Sequence, residues 1–247
     1  TSGKLYLSLY YEDKLLVLDA ATGGKTGEMP LAKPVGLHAL SDDALLAVSG
    51  SQIVKIDTAS GGITPVVTNG LLAPHSVTTD RQGDIYVSDW KTSFQVKVFS
   101  PQGKLLRVIG KEGGRPWLGA WEQDGMLVPR GLSVTDDGKL WVAEDDTSPG
   151  RVSVWNAKTG AFVKDYIGPT PYGGGAPFWI DPRDPDLACT PGTRFKLDFK
   201  NKTYAPLATV FRRMDGNQPF AVNGFDLFGN TGSRIFYREG REYLVIN

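Results

Sequence analysis

One stretch of this 247-residue sequence decides the fold. It begins with Pro74-His75-Ser76-Val77, turns at Asp80-Arg81-Gln82-Gly83, and continues as Ile85-Tyr86-Val87-Ser88-Asp89 and then Val96-Lys97-Val98-Phe99. Short runs of alternating apolar residues, bounded by Gly and Asp turns, are typical of β-strands. No apolar period of 3.6 residues runs through them, so the pattern does not indicate helices.

The same pattern recurs along the chain. A copy starts at Pro34-Val35-Gly36-Leu37, another at Pro129-Arg130-Gly131-Leu132, and weaker copies at Pro177-Phe178-Trp179-Ile180 and Pro219-Phe220-Ala221-Val222. Successive motif prolines, including Pro74, are therefore 40, 55, 48 and 42 residues apart. Repeats of this length with four short strands each predict an all-β fold, a β-propeller of four-stranded antiparallel blades.

The two ends of the sequence hold incomplete repeats. Leu5 to Tyr10 aligns with the second strand of the repeat, and Glu242 to Asn247 aligns with the third. We expect residues 1–247 to form a single β-propeller domain that is a fragment or module of a longer chain. Six blades are expected, or seven if the chain is truncated. An exposed blade edge would be an aggregation hazard, which favours a closed ring.

Composition excludes several classes of partner. Lys and Arg number 27 and Asp and Glu number 27, so the chain lacks the excess of basic residues that nucleic acids and anionic membranes attract. No run of 18 apolar residues is present, which argues against membrane insertion. The single cysteine, Cys189, excludes an internal disulfide.

Two of the repeats resemble NHL repeats. The blocks Pro74–Phe99 and Pro129–Trp155 follow that family's pattern: Pro-x-Gly-apolar, then Gly-x-apolar-aromatic-Val-x-Asp, then a Val-x-Val-Phe strand. The resemblance covers about residues 70–168 and implies six blades. NHL propellers include protein-binding scaffolds, RNA-binding modules and a metal-dependent amidating lyase, so it does not imply one activity. Residues 113–169 also resemble propeller modules of large, often secreted bacterial proteins, which favours a secreted or periplasmic location.

Candidate ligand-binding residues fall on one rim of the predicted propeller. The residue after each motif proline should point into the mouth of the central channel, and the loops after the second strands emerge on the same rim. The long loop 111–128 adds tryptophans that could stack on a sugar or clamp a peptide, or could fold back as the core of that loop. The aromatic candidates are Trp90, Trp117, Trp121, Phe178 and Phe220. The polar candidates are His75 and Arg130.

Acidic residues at the ends of two strands suggest a metal site. Asp89 and Glu144, the latter followed by Asp145 and Asp146, could bind Ca²⁺ or another divalent cation. They could equally cap turns or bind nearby backbone amides. A zinc centre like that of the amidating lyase needs three protein ligands, but non-ligand residues occupy the corresponding places, which counts against zinc.

Two functions therefore compete. The first is a binding or scaffolding propeller without a cofactor, which presents its rim and channel mouth to a small molecule, glycan, peptide or partner domain. The alternative is a metal-assisted lyase or hydrolase. In that case His75 would act as general base or metal ligand, Arg130 would stabilise an oxyanion, and Asp89 and Glu144 would hold the metal.

Overall fold

The structure is a computed structural model that describes residues 3–116, 119–144, 150–168, 179–181, 183–190, 193–209 and 233–246. Within these ranges the regular elements are β-strands, together with one short 3-10 helix at Tyr10–Glu12. The described part of the chain contains no helix long and apolar enough to cross a membrane.

Three sheets are antiparallel meanders of four consecutive strands. The second sheet contains β4 (Pro34–Ser41), β5 (Ala44–Ser49), β6 (Gln52–Asp57) and β7 (Ile63–Val67). The third contains β8 (Pro74–Thr79), β9 (Ile85–Asp89), β10 (Gln95–Phe99) and β11 (Leu105–Ile109). The fourth contains β13 (Pro129–Val134), β14 (Lys139–Glu144), β15 (Gly150–Asn156) and β16 (Phe162–Gly168). In each, the motif proline begins the first strand, as the repeat predicts.

The other sheets depart from four strands. The first contains β1 (Lys4–Leu9), β2 (Lys14–Asp19) and β3 (Lys25–Pro30). The fifth is ordered β12 (Gly119–Ala120), β20 (Thr203–Thr209), β19 (Thr193–Asp198), β18 (Leu187–Thr190) and β17 (Trp179–Ile180). The last is a hairpin of β21 (Ser233–Arg238) and β22 (Arg241–Ile246). The fifth sheet is thus a four-stranded meander with β12 added to its edge.

The chain divides into two compact units. The first comprises Thr1–Gly114, Asp124–Ala143 and Val152–Asp165. The second comprises Arg115–Gln123, Glu144–Arg151 and Tyr166–Asn247.

The core of the first unit lies between successive sheets. One apolar cluster joins the first sheet to the second and includes Leu15 and Ile56. Another joins the second to the third and includes Ile53 and Val87. In a strand, alternate side chains point to opposite faces, so each sheet can pack against a neighbour on both sides. This alternation explains why the strands of the repeat carry so few charged residues.

Tyr86 links the third sheet to the fourth through polar contacts. Its ring is buried, and its hydroxyl lies 2.7 Å from Arg107 Nη2 and 3.3 Å from the carbonyl oxygen of Ala157. Burial of the hydroxyl is the main cause that raises the pKa of Tyr86 to about 12. The hydroxyl therefore stays protonated and can both donate and accept.

The glycine of the first motif lies where two strands approach closely. A Cβ atom at Gly36 would lie 2.6 Å from the carbonyl oxygen of His75 and 2.8 Å from the Cα atom of Ser76. Only glycine fits between β4 and β8 at this distance. At Gly131, the equivalent position in the fourth sheet, an added Cβ atom would lie 3.4 Å from the Cβ atom of Ala143, an ordinary contact.

Candidate functional site

Three of the predicted site residues come together in the first unit. His75 lies on β8, Trp90 directly follows β9, and Arg130 lies on β13. Arg130 Nη1 is 2.8 Å from His75 Nε2, and the guanidinium carbon lies 5.2 Å from the centroid of the Trp90 ring. All three residues are half-buried. We refer to them as the His75–Trp90–Arg130 cluster.

Strand pairing explains why these residues meet. Pro74 is opposite Asp89 in the register of β8 and β9, which brings His75 next to the end of β9. The hydroxyl of Ser88 then accepts a hydrogen bond from the backbone amide of Ser76 at 2.9 Å. It donates one to the carbonyl oxygen of Arg130 at 3.0 Å. Ser88 thus fixes the backbone of β8 and of β13 on either side of β9.

The contacts of Arg130 determine the protonation state of His75. A guanidinium group carries only hydrogen-bond donors, so the Nε2 atom of His75 must act as the acceptor. The imidazole is therefore neutral, with its proton on Nδ1. The guanidinium also makes a cation–π contact with the Trp90 ring, an interaction worth about 0.5–2 kcal/mol. The guanidinium thus contacts both the imidazole of His75 and the ring of Trp90.

Asp89, one of the two predicted cation ligands, is fully buried beside this cluster. Its carboxylate accepts hydrogen bonds from the backbone amides of Leu72 at 3.0 Å and Ala73 at 2.6 Å. It also forms an ion pair of 2.6 Å with Lys97. Lys97 in turn donates to the carbonyl oxygen of Gly70 at 2.6 Å. These bonds tie the loop before β8 to the third sheet, which is a structural role.

Glu144, the second predicted cation ligand, lies in a buried ion-pair cluster of the second unit. Its carboxylate is 2.6 Å from Arg115 Nη1 and 3.2 Å from Arg151 Nη1, and all three side chains are almost completely buried. Arg151 also donates to the carbonyl oxygen of Gln123 at 2.5 Å. The two arginines therefore hold Glu144 in place and link it to the loop before β13.

Trp121 belongs to the same cluster. Its ring centroid lies 4.5 Å from the guanidinium carbon of Arg115 and 5.3 Å from that of Arg151. Its backbone amide donates to the carbonyl oxygen of Leu207 at 2.8 Å, which attaches the loop to β20. The residue is half-buried. These contacts are those of a loop aromatic that folds back onto its own unit.

The remaining site predictions lie outside the described residues. They concern Trp117, Phe178 and Phe220, together with the acidic residues Asp145 and Asp146, and they stay predictions. Within the ranges that the structure describes, no three His, Cys, Asp or Glu side chains come together as a group that could hold a metal ion.

The second histidine, His38, makes a different contact. Its Nε2 atom lies 3.0 Å from Thr79 Oγ1, between β4 and β8. Burial lowers the pKa of His38, because the charged imidazolium loses hydration in the folded protein.

Sequence reasoning missed two residues that support the site. Ser88 is a polar residue within β9, every residue of which is buried, and a buried hydroxyl needs hydrogen-bond partners. The need of Ser88 for hydrogen-bond partners could therefore be predicted from the sequence. Nothing in the local sequence marks Lys97 as a supporting residue, because a lysine between Val96 and Val98 fits an ordinary strand with one exposed face.

Comparison with known proteins gives the fold. No family model and no curated protein matches the sequence. Similar solved structures include the hydrazine synthase of Kuenenia stuttgartiensis, with a TM-score of 0.54, 15% identity, and coverage of 83% of this chain and 63% of that one. A streptogramin B lyase matches with a TM-score of 0.50 and 17% identity over 86% of this chain and 66% of its own. A chain of the nidogen/laminin complex matches with a TM-score of 0.52 and 13% identity over 85% and 93%.

This chain spans slightly less than two thirds of the length of the first two proteins. At such low identities, structural similarity shows the fold alone. Together with the four-stranded antiparallel sheets, it confirms the predicted class: the chain folds as an all-β protein, a β-propeller.

Proposed function

We propose that this chain is a non-catalytic binding and scaffolding propeller that presents its loop rim and channel mouth to a glycan, peptide or partner domain. The His75–Trp90–Arg130 cluster would form part of that surface. The observation that carries the proposal is the convergence of an aromatic ring, an imidazole and a guanidinium from three separate chain segments. A few polar groups placed among apolar and aromatic surface are typical of ligand sites.

The contacts of the acidic residues favour binding over the lyase or hydrolase alternative. That alternative needs Asp89 and Glu144 as metal ligands. Asp89 is engaged by two backbone amides and Lys97, and Glu144 by two arginines. A metal ion would have to displace these buried bonds, which is costly because it leaves positive charges without their partner. His75 and Arg130, the other residues of the alternative, are bonded to each other.

The similar structures are compatible with either function. One belongs to a complex of two proteins, nidogen and laminin, and another is a lyase. One fold commonly carries unrelated functions, so the choice depends on the residues of this chain.

The proposal extends to the architecture. A six-bladed NHL-type propeller, present as one module of a longer chain, is what the sequence resemblance implies. The repeat of the Pro motif at intervals of 40 to 55 residues supports the propeller. Export to the periplasm or the cell exterior is a further part of the proposal and rests on the sequence resemblance.

A binding screen tests the proposed function. The purified chain is applied to a glycan array and a peptide library, and each hit is measured by titration. Trp90→Leu should weaken binding of the hit at least tenfold, because the ring supplies the aromatic contact surface. Trp90→Phe should retain part of the affinity.

Tyr11→Ala is the matched control. Tyr11 is 92% exposed and lies in the 3-10 helix after β1, so its removal tests whether any surface aromatic matters. Binding that Tyr11→Ala leaves intact and Trp90→Leu abolishes supports the proposal. The proposal fails if no array ligand binds, or if both variants bind like the natural chain.

A further inference from the structure

The edge strand β1 has nearly the same sequence pattern as β9, an inner strand of the third sheet. Residues 5–10 read Leu-Tyr-Leu-Ser-Leu-Tyr, and residues 85–90 read Ile-Tyr-Val-Ser-Asp-Trp. The matching positions carry side chains of the same kind except at Leu9, where β9 has Asp89. β1 therefore corresponds to the second strand of the repeat.

A shared hydrogen bond supports this correspondence. The hydroxyl of Ser8 donates to the carbonyl oxygen of Val35 at 2.7 Å. The hydroxyl of Ser88 donates in the same way to the carbonyl oxygen of Arg130 at 3.0 Å. Val35 and Arg130 each follow a motif proline on a first strand. Each serine thus bonds the first strand of the sheet that follows its own.

β1 has an edge with which another strand can pair. β9 pairs with β10 on one side and with β8 on the other, whereas β1 pairs with β2 alone within the described residues. The edge strands β4 and β8 begin with prolines and are irregular in register, and both features discourage the addition of a further strand. The pairing of β1 with β2 is regular, and no proline or charged side chain occurs from Leu5 to Leu9. β1 therefore lacks that protection.

We infer that this edge of β1 binds an extended peptide strand, antiparallel, with the Pro-x-small-apolar sequence of the first strands of the repeat. β8 is the precedent, since it pairs with the corresponding edge of β9 and begins with Pro74-His75-Ser76-Val77. When a strand is added to a sheet edge, backbone hydrogen bonds supply affinity and alternate side chains supply specificity. The inference goes beyond the proposed function, because it concerns a strand edge and not the His75–Trp90–Arg130 cluster.

Two leucines of β1 are exposed where the matching side chains of β9 are buried. Leu5 is 52% exposed and Leu7 is 47% exposed. Ile85 and Val87, at the matching positions, are 2% and 0% exposed. Val77 of β8 lies opposite Val87, and both belong to one apolar cluster. An incoming strand with valine or leucine opposite Leu7 would cover part of the exposed surface, and burial of apolar surface favours binding.

Ser8 adds a specific hydrogen bond for the incoming strand. In the third sheet, the hydroxyl of Ser88 also accepts from the backbone amide of Ser76 at 2.9 Å. Ser76 is the third residue of its motif. A hydroxyl carries one donor and two acceptor lone pairs, so Ser8 can accept a hydrogen bond while it donates to Val35. We expect it to accept from the amide of the third residue of the bound strand.

Leu9 limits how tightly the strand is held. Asp89, at the matching position, accepts from the amides of Leu72 and Ala73 and so fixes the loop before β8. A leucine cannot accept these bonds. The bound strand is therefore held by its backbone hydrogen bonds, Ser8 and the exposed leucines, and the residues before its proline contribute little.

A peptide with the sequence of residues 72–80, acetylated and amidated, is the probe. It is titrated into the full ¹⁵N-labelled chain and followed by NMR. We expect chemical-shift changes centred on residues 5–9 and nuclear Overhauser contacts between the peptide valine and Leu7. N-methylation of the peptide serine should lower the affinity about tenfold or more, because it removes the donor to Ser8 and places a methyl group between the strands. A scrambled peptide of the same composition should not bind.

Variants of the chain locate the binding. Ser8→Ala should lower the affinity about two- to tenfold, which corresponds to one hydrogen bond. Leu7→Asn alters an exposed side chain and should also weaken binding while the fold is retained. Ser49→Ala is the matched control, because it removes a hydrogen bond of 2.7 Å to the carbonyl oxygen of Ala32 from β5, a strand paired on both sides. Peptide binding should be unchanged in this variant and in Trp90→Leu.

Several results would overturn the inference. They are no binding of the peptide at residues 5–9, equal binding of the N-methylated or scrambled peptide, and equal weakening by Ser8→Ala and Ser49→Ala. Sedimentation velocity tests the competing occupant: a dimer that Leu7→Asn disrupts and the peptide does not would assign this edge to a second copy of the chain. An array ligand that depends on Trp90, together with no binding of the peptide, would leave the proposed function standing and overturn only this inference.

Discussion

Arg130 and His75 are bonded through atoms that allow one protonation state of the imidazole. Nη1 of Arg130 lies 2.8 Å from Nε2 of His75, and a guanidinium can only donate. Protonation of Nε2 would place two donors and two positive charges against each other. The neutral imidazole is thus part of what holds Arg130 beside Trp90.

This contact predicts the tautomer of His75. At neutral pH the proton should reside on Nδ1, with Nε2 unprotonated. Long-range ¹H–¹⁵N correlation spectra of the labelled chain report the state of each ring nitrogen. The chain has only two histidines, so the spectrum is simple.

The assignment follows from a His38→Gln variant, which removes the signals of the other ring. An Nε2–H tautomer for His75 at neutral pH would contradict the expected bond.

The buried carboxylate of Asp89 predicts a large loss of stability on neutralisation. Asp89→Asn keeps the size of the side chain but leaves Lys97, which is only 12% exposed, without its counter-charge. Removing one partner of a buried ion pair costs about 3–5 kcal/mol. Urea denaturation measures the change in the free energy of unfolding.

Asp136→Asn is the matched control for this substitution. Asp136 pairs with Arg81 in an ion pair whose side chains are 69% and 77% exposed. Such a pair contributes about 0–1 kcal/mol, because water screens both charges. Equal losses in the two variants would refute the structural role of Asp89.

Local pattern accounts for how well the fold could be predicted. The alternation in Ile85–Asp89 and Val96–Phe99, and the turn at Asp80–Gly83, define strands and connections within a few residues. The strands of this blade could therefore be predicted from the sequence. The irregular parts of the fold could not be predicted in this way. The two-residue strand β12 pairs with β20, which is over 80 residues away, and no local pattern encodes that partner.

The candidate site was predictable by position and less so by chemistry. The residue after the motif proline and the residue after the second strand were placed on one rim, and His75, Trp90 and Arg130 do meet. The sequence could not show that Asp89 would pair with Lys97 or Glu144 with two arginines. Such partners depend on side-chain directions and distances across strands, which spacing along the chain does not determine.

The close approach of β4 to β8 predicts that alanine is tolerated differently at Gly36 and Gly131, which occupy equivalent positions in two sheets. Gly36→Ala would push a methyl group against the backbone at His75, and overpacking of this kind costs about 1–3 kcal/mol. Gly131→Ala makes an ordinary contact and should change stability by about 0.5 kcal/mol or less. Thermal and urea denaturation of both variants would measure this difference. If both substitutions are tolerated equally, β4 and β8 must lie further apart than the 2.6 Å between the added Cβ atom and the carbonyl oxygen of His75 implies.

The packing of Trp121 between two arginines predicts that it supports the second unit. Trp121→Ala removes two cation–π contacts, each worth about 0.5–1 kcal/mol, together with a half-buried ring. The free energy of unfolding should fall by about 1–3 kcal/mol. Tyr11→Ala, which removes a ring that is 92% exposed, should leave it within about 0.5 kcal/mol. Unchanged stability in Trp121→Ala would return this residue to the set of exposed ligand-binding candidates.

The burial of His38 predicts that the protein loses stability on mild acidification. Burial lowers the pKa of its imidazole in the folded protein below the ordinary value of 6.5, so the unfolded chain binds the proton more readily. The contribution of His38 to stability is therefore complete above pH 6.5. It decreases as the pH falls below that value and stops changing once the folded state is protonated too. The melting temperature of the natural chain should fall through this interval. His38→Gln, which can keep the hydrogen bond to Thr79 but cannot titrate, should show a shallower fall. An NMR titration of His38 supplies the independent check, and a midpoint above 6.5 would reverse the sign of the expected effect.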